Sequence, residues 1–134
     1  MSELIYVVSR ASVPERSEMW RHYRHAGVPI ISSWIDEAAK GYPIEFAEFW
    51  NRIMGEIERS TRVVLYAETG DFPLMAALVE IGVALGLGKP VTVCLPGVWL
   101  EGRGSHPIGS WIAHRLVVRD DDIVSALAWS VKEE

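Results

Sequence analysis

The sequence predicts an α/β fold: a single-domain, doubly wound sandwich of the Rossmann-like or flavodoxin-like kind, with a mostly parallel five-stranded sheet between helices. Two observations lead to this prediction. Apolar segments of strand length alternate with helical segments, a pattern that favours right-handed crossovers between parallel strands. The 134 residues, 49% of them hydrophobic, match the size of one domain with its own core. We therefore expect one domain over residues 1–134.

Five segments have the length and composition of strands. Each is a short, mostly apolar and often β-branched run bounded by turn-forming residues, which is typical of strands buried in a parallel sheet. In chain order they are residues 4–8, 28–32, 63–66, 91–95 and 116–118. Ligands bind at the carboxyl ends of such strands, so we expect a site among the loops 9–13, 33–42, 67–72 and 96–110.

Four segments are predicted to be helices, because caps or prolines precede apolar residues spaced three or four positions apart. The first has Ser12 as its cap and Pro14 in its first turn, and Gly27 ends it. Residues 33–42 carry turn and polar residues and are predicted to be a loop. The predicted helices cover residues 13–26, 43–60, 74–87 and 120–132.

The composition excludes several classes of protein. The formal net charge of −5 repels a phosphate backbone, so we expect no nucleic acid polymer as a partner. The apolar runs are too short to span a membrane and the N-terminus lacks a basic signal region, so no membrane partner is expected. Cys94 is the only cysteine, and no Cys/His cluster has zinc spacing. We expect a cytoplasmic protein with no metal and no cofactor.

Glu80 is the residue most indicative of chemistry. It is the only ionisable side chain in the predicted helix 74–87, which is otherwise apolar on every side. A helix that is apolar all round is buried, and an isolated carboxylate there costs several kcal/mol unless it is paired or opens into a cleft. We expect either a charge that reaches solvent through a gap in the packing, or a carboxylate in a pocket that acts as nucleophile or acid/base.

Polar residues after the first predicted strand form a candidate anion site. Ser9, Arg10 and Ser12 come just before a helix N-terminus, where backbone N–H groups and the helix dipole favour an anion. Arg16 adds a further positive charge. The alternative is a solvated basic turn.

Further candidates follow the next two strands. Trp34 beside Asp36 can stack on a flat ring while the acid orients it, although an indole that covers the sheet edge is equally common. Glu68 and Asp71 are candidates by position, with solvated loop acids as the alternative. His106, in a glycine-rich loop, is a candidate to approach the same crevice or a neighbouring subunit.

Residues 5–118 resemble the nucleoside 2-deoxyribosyltransferase-like family, which includes deoxynucleotide N-glycosidases. The most specific part is residues 79–91, VEIGVALGLGKPV, which is similar to the family's nucleophile helix and the Gly-Lys-Pro start of the next strand. Tyr6 and the following loop match the first-strand element, and residues 32–36, SSWID, resemble the second-strand segment of one branch of the family. The end of the third strand, residues 65–68, is similar to that branch.

The resemblance implies an enzyme that cleaves the N-glycosidic bond of a 2′-deoxynucleoside or its 5′-monophosphate, with transfer to another base or to water. Glu80 is the implied nucleophile. The resemblance also implies that Tyr6 contacts this carboxylate or the sugar, and that residues 9–12 hold the 5′ end of the sugar. The alternative is a non-catalytic nucleotide-binding module on the same fold. The family also implies a homodimer or higher homo-oligomer, in which the loop 99–111 completes a neighbour's site.

The chain departs from the family in the region that grips the base. Many members have an aspartate where this chain has residues 51–54, NRIM, and an acid where it has Thr61 and Arg62. Our hypothesis is that other residues substitute for them. These are Trp34, Asp36, Glu68 and Asp71.

Overall fold

The computed structural model describes residues 3–40, 45–98 and 109–128, and within these ranges four parallel strands form one sheet. The strands are β1 (Ile5–Val8), β2 (Arg62–Tyr66), β3 (Val91–Cys94) and β4 (Val117–Arg119), paired in that order. Every residue of β1 is buried, and because successive side chains of a strand point to opposite faces, both faces of the sheet are covered there. The predicted α/β class with a parallel sheet is confirmed.

Five α-helices accompany the sheet in the described part of the chain. They are α1 (Pro14–His25), α2 (Trp34–Lys40), α3 (Phe46–Arg59), α4 (Ala76–Gly86) and α5 (Ile123–Ala128). Two single turns of 3₁₀-helix lie at Thr69–Asp71 and Ser110–Ala113. Helix α4 contacts β1, β2 and β3, and it also packs against α3. The first turns of α3 and α4 lie at the same edge of the sheet as the loop after β1.

The prediction of five strands is wrong for the part of the chain that the structure describes. The predicted second strand, residues 28–32, is reduced to one parallel bridge between Ile5 and Ile30, on the edge of β1 opposite β2. The ladder ends because a side chain, and not a backbone carbonyl, accepts the next free backbone N–H of β1. The N–H of Val7 donates to the Ser32 hydroxyl at 2.7 Å instead of to a backbone carbonyl, so the ladder stops.

The prediction of a loop over residues 33–42 is also wrong, because α2 occupies most of it. The carbonyl of Ser33 accepts the N–H groups of Asp36 and Glu37, which starts the helix. Trp34 and Ile35 are buried against the core. A helix of seven residues is too short to be stable alone in water, so tertiary burial of one side stabilises it here.

Helix α4 is not buried all round, contrary to prediction. Its inner side contains Ala77, Glu80, Ile81 and Ala84, which are buried. On its outer side Val79 is 54% exposed and Leu78 is 40% exposed. The described elements cover only the side that faces the sheet and α3, so the charged residue is inside and apolar residues are outside.

No helix in the described ranges is both long and apolar enough to cross a membrane. Of the six tryptophans, Trp20 and Trp34 are buried in the core, whereas Trp50 and Trp111 are half-buried. Trp99 and Trp129 lie outside the described residues.

Candidate functional site

A cavity of about 250 Å³ lies where the loop after β1 meets the first turns of α2, α3 and α4. This is the carboxyl-end edge of the sheet, as expected for an open α/β fold. The cavity has a polar side, an aromatic side and one buried carboxylate. Its lining residues are Ser9, Arg10, Ala11, Ser12, Trp34, Phe49, Trp50, Met75, Ala76, Ala77 and Glu80.

Glu80 contributes the carboxylate of the cavity. It lies on the inner side of α4 and is 7% exposed. Burial raises the pKa of Glu80 to about 8, and the negative charge of Glu56 adds to the rise. Among the described residues no cation forms an ion pair with Glu80. Of the two alternatives that the sequence left open, this geometry corresponds to the carboxylate in a pocket.

Tyr6 lies behind the cavity lining, in the middle of β1. Its side chain is fully buried, and no described residue hydrogen-bonds its hydroxyl. Burial raises the pKa of Tyr6 well above its usual value, and the negative charges of Glu80 and Glu56 raise it further. Tyr6 is therefore a neutral phenol with an unused donor, close enough to Glu80 for the charge of Glu80 to act on it.

The loop after β1 is fixed by its own hydrogen bonds. The Ser9 hydroxyl donates to the Tyr66 carbonyl at 2.8 Å and accepts from the Trp20 indole at 2.9 Å. The Arg10 guanidinium donates to the Ser12 hydroxyl at 3.2 Å and to the Asp71 carbonyl at 3.1 Å. This loop thus presents a preformed polar wall to the cavity.

Ser12 does not cap α1 as predicted. The residue before the helix is Val13, and no side-chain hydrogen bond caps the helix start. The reason is the contact just described, because the Ser12 hydroxyl is taken by the Arg10 guanidinium.

The predicted loop acids after β2 are placed away from the cavity. Asp71 is 3% exposed and accepts two hydrogen bonds from Arg16, at 2.7 and 3.1 Å. Glu68 lies 3.3 Å from the same guanidinium and accepts from the Tyr66 hydroxyl. Neither acid lines the cavity, and the positive charge of Arg16 is neutralised inside the protein.

Of the remaining predicted site residues, one lines the cavity, one is bound elsewhere and one is not described. Trp34 lines the cavity, and its indole N–H donates to the Val7 carbonyl at 2.7 Å, which holds the ring in place. Asp36 faces α1, where Arg24 binds it at 2.7 and 2.9 Å, and it does not line the cavity. His106 lies outside the described residues, as does most of the loop 99–111.

Sequence reasoning missed three residues of this region. Phe49 and Trp50 line the cavity, but their helical spacing indicated only an apolar helix face. Glu56 is 4% exposed on the buried side of α3, between Ile53 and Ile57. Glu80 was singled out as the only ionisable residue of an apolar helix, whereas Glu56 lies in a helix that carries several other charges, so the same signal did not identify it.

The described residues contain no group of three or more side chains arranged to hold a metal ion. Cys94 is buried in β3, and burial raises the pKa of its thiol to about 12. A neutral, buried thiol is a poor nucleophile. Among the described residues that line the cavity, Glu80 is the one with a carboxyl group.

Comparison with protein-family models and with curated proteins gives no match for this chain.

Proposed function

We propose that this protein is a cytoplasmic enzyme that cleaves the N-glycosidic bond of a 2′-deoxynucleoside or its 5′-monophosphate. The observation that carries the proposal is Glu80, a buried carboxyl that lines a small cavity and whose charge acts on the neutral phenol of Tyr6. A carboxylate nucleophile suits substitution at an anomeric carbon, where positive charge develops in the transition state.

The reaction proceeds through a glycosyl-enzyme. The ionised Glu80 carboxylate forms a bond to the anomeric carbon as the carbon–nitrogen bond breaks, and the electron pair leaves with the base, which takes a proton from solvent. Water or a second base then attacks the anomeric carbon and releases Glu80. Tyr6 donates its unused O–H to the carboxylate or to the sugar, which orients the reacting groups.

The cavity lining supports a nucleoside or nucleotide rather than a larger substrate. Its volume of about 250 Å³ lies near the lower end of the roughly 300–1,000 Å³ typical of small-molecule sites. Phe49 and Trp50 offer aromatic surface for a flat base, next to Trp34. Arg10 and the hydroxyl of Ser12 offer donors for the sugar's 5′ end or its phosphate.

We further propose that the enzyme works as a homodimer or higher homo-oligomer with shared active sites. Met75 lines the cavity and is 67% exposed, and the exposed Leu78 and Val79 continue this apolar surface along α4. A contiguous exposed apolar surface beside a site is typical of an interaction surface. A second subunit there would cover the cavity's open side.

The test is base release from a panel of deoxynucleosides and deoxynucleoside 5′-monophosphates, followed by chromatography. The wild type should release base from at least one of them, and Glu80→Gln should reduce the rate by at least about a thousandfold because the nucleophile is lost. Glu58→Gln is the matched control, since Glu58 is exposed on α3. Retained activity in Glu80→Gln removes Glu80 from the mechanism. Binding of nucleotides without any base release would instead favour the non-catalytic nucleotide-binding module.

A further inference from the structure

Helix α3 buries a carboxylate that the reaction just described does not use. Glu56 shares the inner side of α3 with Phe49, Ile53 and Ile57, and it is 4% exposed. Within the described residues no arginine, lysine or histidine forms an ion pair with it. Burying a carboxylate without a cation is costly, so a residue of this kind is a candidate for a functional position.

One contact of Glu56 leads directly to the cavity wall. Its carboxylate accepts the Ser33 backbone N–H at 3.1 Å, and the Ser33 carbonyl starts α2. The next residue, Trp34, lines the cavity. Glu56 therefore anchors the segment from which the Trp34 ring extends.

A second effect of Glu56 is electrostatic. Helices α3 and α4 pack together, and the negative charge of Glu56 opposes ionisation of both Glu80 and Tyr6. Two cations among the described residues lie in the same region. Arg52 on α3 favours ionisation of Tyr6, and Arg10 lies on the cavity wall, held by hydrogen bonds.

We propose that Glu56 is a positioning residue of this site, a second buried carboxylate that acts through Glu80 and through the Ser33–Trp34 segment. The role rests on the proposed function, because it concerns when Glu80 becomes an ionised nucleophile. The negative charge of one buried carboxylate opposes ionisation of another, so the charge of Glu56 delays ionisation of Glu80. Glu56 thus delays the appearance of the nucleophile as the pH rises and keeps the cavity wall in place.

Glu56→Gln separates the charge from the hydrogen bond. The amide oxygen still accepts from Ser33, while the negative charge is gone. The rate of base release rises with pH as Glu80 ionises, and in this variant the rise should occur at a pH lower by about one unit. Glu58→Gln, which changes an exposed carboxylate of the same helix, should leave the profile in place. If Glu56 only supports the structure, Glu56→Gln keeps its hydrogen bond and leaves the pH dependence of the rate unchanged. An unchanged pH–rate profile in Glu56→Gln therefore overturns the proposal.

A measurement without substrate distinguishes this proposal from the proposed function. Carbon-13 NMR of protein labelled at glutamate side-chain carboxyls follows the titration of Glu80, whose signal is assigned by its loss in Glu80→Gln. The Glu80 midpoint should fall by about one pH unit in Glu56→Gln. If no substrate releases base but the midpoint moves, the proposed function fails and the coupling stands. If base is released and the midpoint stays, the role of Glu56 fails alone.

Glu56→Ala tests the contact with Ser33. Loss of the acceptor leaves a buried N–H without a partner and frees the Ser33–Trp34 segment, so KM should rise in Glu56→Ala and not in Glu56→Gln. Circular dichroism establishes that both variants are folded. If Glu56→Ala does not fold, the Glu56→Gln titration still decides the electrostatic part, and equal KM values in two folded variants overturn the anchoring part.

Discussion

The guanidinium of Arg16 binds the carboxylate of Asp71 through two hydrogen bonds, of 2.7 and 3.1 Å. The pair ties α1 to the turn after β2, and the Glu68 N–H donates to the same carboxylate at 2.9 Å. Burial by itself raises the pKa of Asp71, but the hydrogen bonds from Arg16 and from the Glu68 backbone outweigh it and leave the pKa below its usual value. Arg16 and Asp71, both candidate site residues in the sequence, therefore stabilise the fold.

Asp71→Ala should destabilise the protein by roughly 3 kcal/mol at neutral pH, because it leaves the largely buried Arg16 without its main partner. A carboxyl with a lowered pKa contributes stability above its unfolded-state pKa, and this contribution is lost as the pH falls through the folded-state value. The difference between wild type and variant should therefore shrink in acid. Urea unfolding at neutral pH and at about pH 3 measures it.

Glu68→Ala provides the comparison for Asp71→Ala. Glu68 contacts the same guanidinium at 3.3 Å, but its side chain is 48% exposed, so its loss should cost less than about 1 kcal/mol. Equal destabilisation by the two variants would contradict the assignment of Asp71 as the main partner of Arg16.

Glu80→Gln should make the protein more stable at alkaline pH. The folded-state pKa of Glu80 is raised from 4.5 to about 8, so between these values the folded protein holds a proton that the unfolded chain has lost. Wild-type stability consequently falls as the pH rises through this window. Near pH 9 the free energy of unfolding of the variant should exceed that of the wild type by a few kcal/mol, and near pH 4 the two should agree.

Thermal unfolding of wild type and Glu80→Gln across this pH range checks the sign and the window. Glu58→Gln, at an exposed position, should follow the wild type. A pH-independent difference between Glu80→Gln and wild type would mean that the carboxyl is not buried as described.

The sheet could be predicted closely from the sequence. Four of the five predicted strands lie within one residue or so of β1 to β4, because apolar β-branched runs are required wherever both faces of a strand are covered. The incorrect predictions concern segments whose structure depends on side-chain hydrogen bonds and on contacts with residues distant in sequence. Ser32 takes the donor that would have extended a second strand. Contacts between α1 and α2, such as the Arg21 hydrogen bond to the Ile35 carbonyl, stabilise a helix that is too short to form alone.

The candidate site was predictable only in part, for a related reason. Glu80 and the loop after β1 could be located because strand ends and a lone charge in an apolar helix are local signals. Whether a loop acid faces a cavity or an arginine depends on residues distant in sequence, as at Asp71 and Asp36. Glu56 was missed because α3 also carries exposed charges, so a single charge at a buried position of this amphipathic helix does not stand out in the sequence.

Tyr6→Phe should lower the rate of base release by roughly one to two orders of magnitude without loss of stability. The hydroxyl is buried and has no partner among the described residues, so its removal costs no hydrogen bond and relieves an unsatisfied polar group. Its function in orienting the carboxylate or the sugar is lost. Tyr66→Phe is the matched control, since the Tyr66 hydroxyl donates to Glu68, an acid that lies away from the cavity. Reduced stability with full activity in Tyr6→Phe would assign this tyrosine to packing alone.

Val79→Lys should break up the proposed homo-oligomer. Val79 is 54% exposed on the outer side of α4, so the substitution costs little in an isolated subunit but places a charge in the proposed apolar interface. Sedimentation velocity over a range of concentrations should show a smaller species than the wild type, with reduced base release because the cavity loses its cover. Val124→Lys is the matched control, because Val124 is 59% exposed on α5, and it should leave both mass and activity unchanged. A wild type that is a fully active monomer in dilute solution would contradict the shared site, and an unchanged Val79→Lys oligomer would place the interface elsewhere.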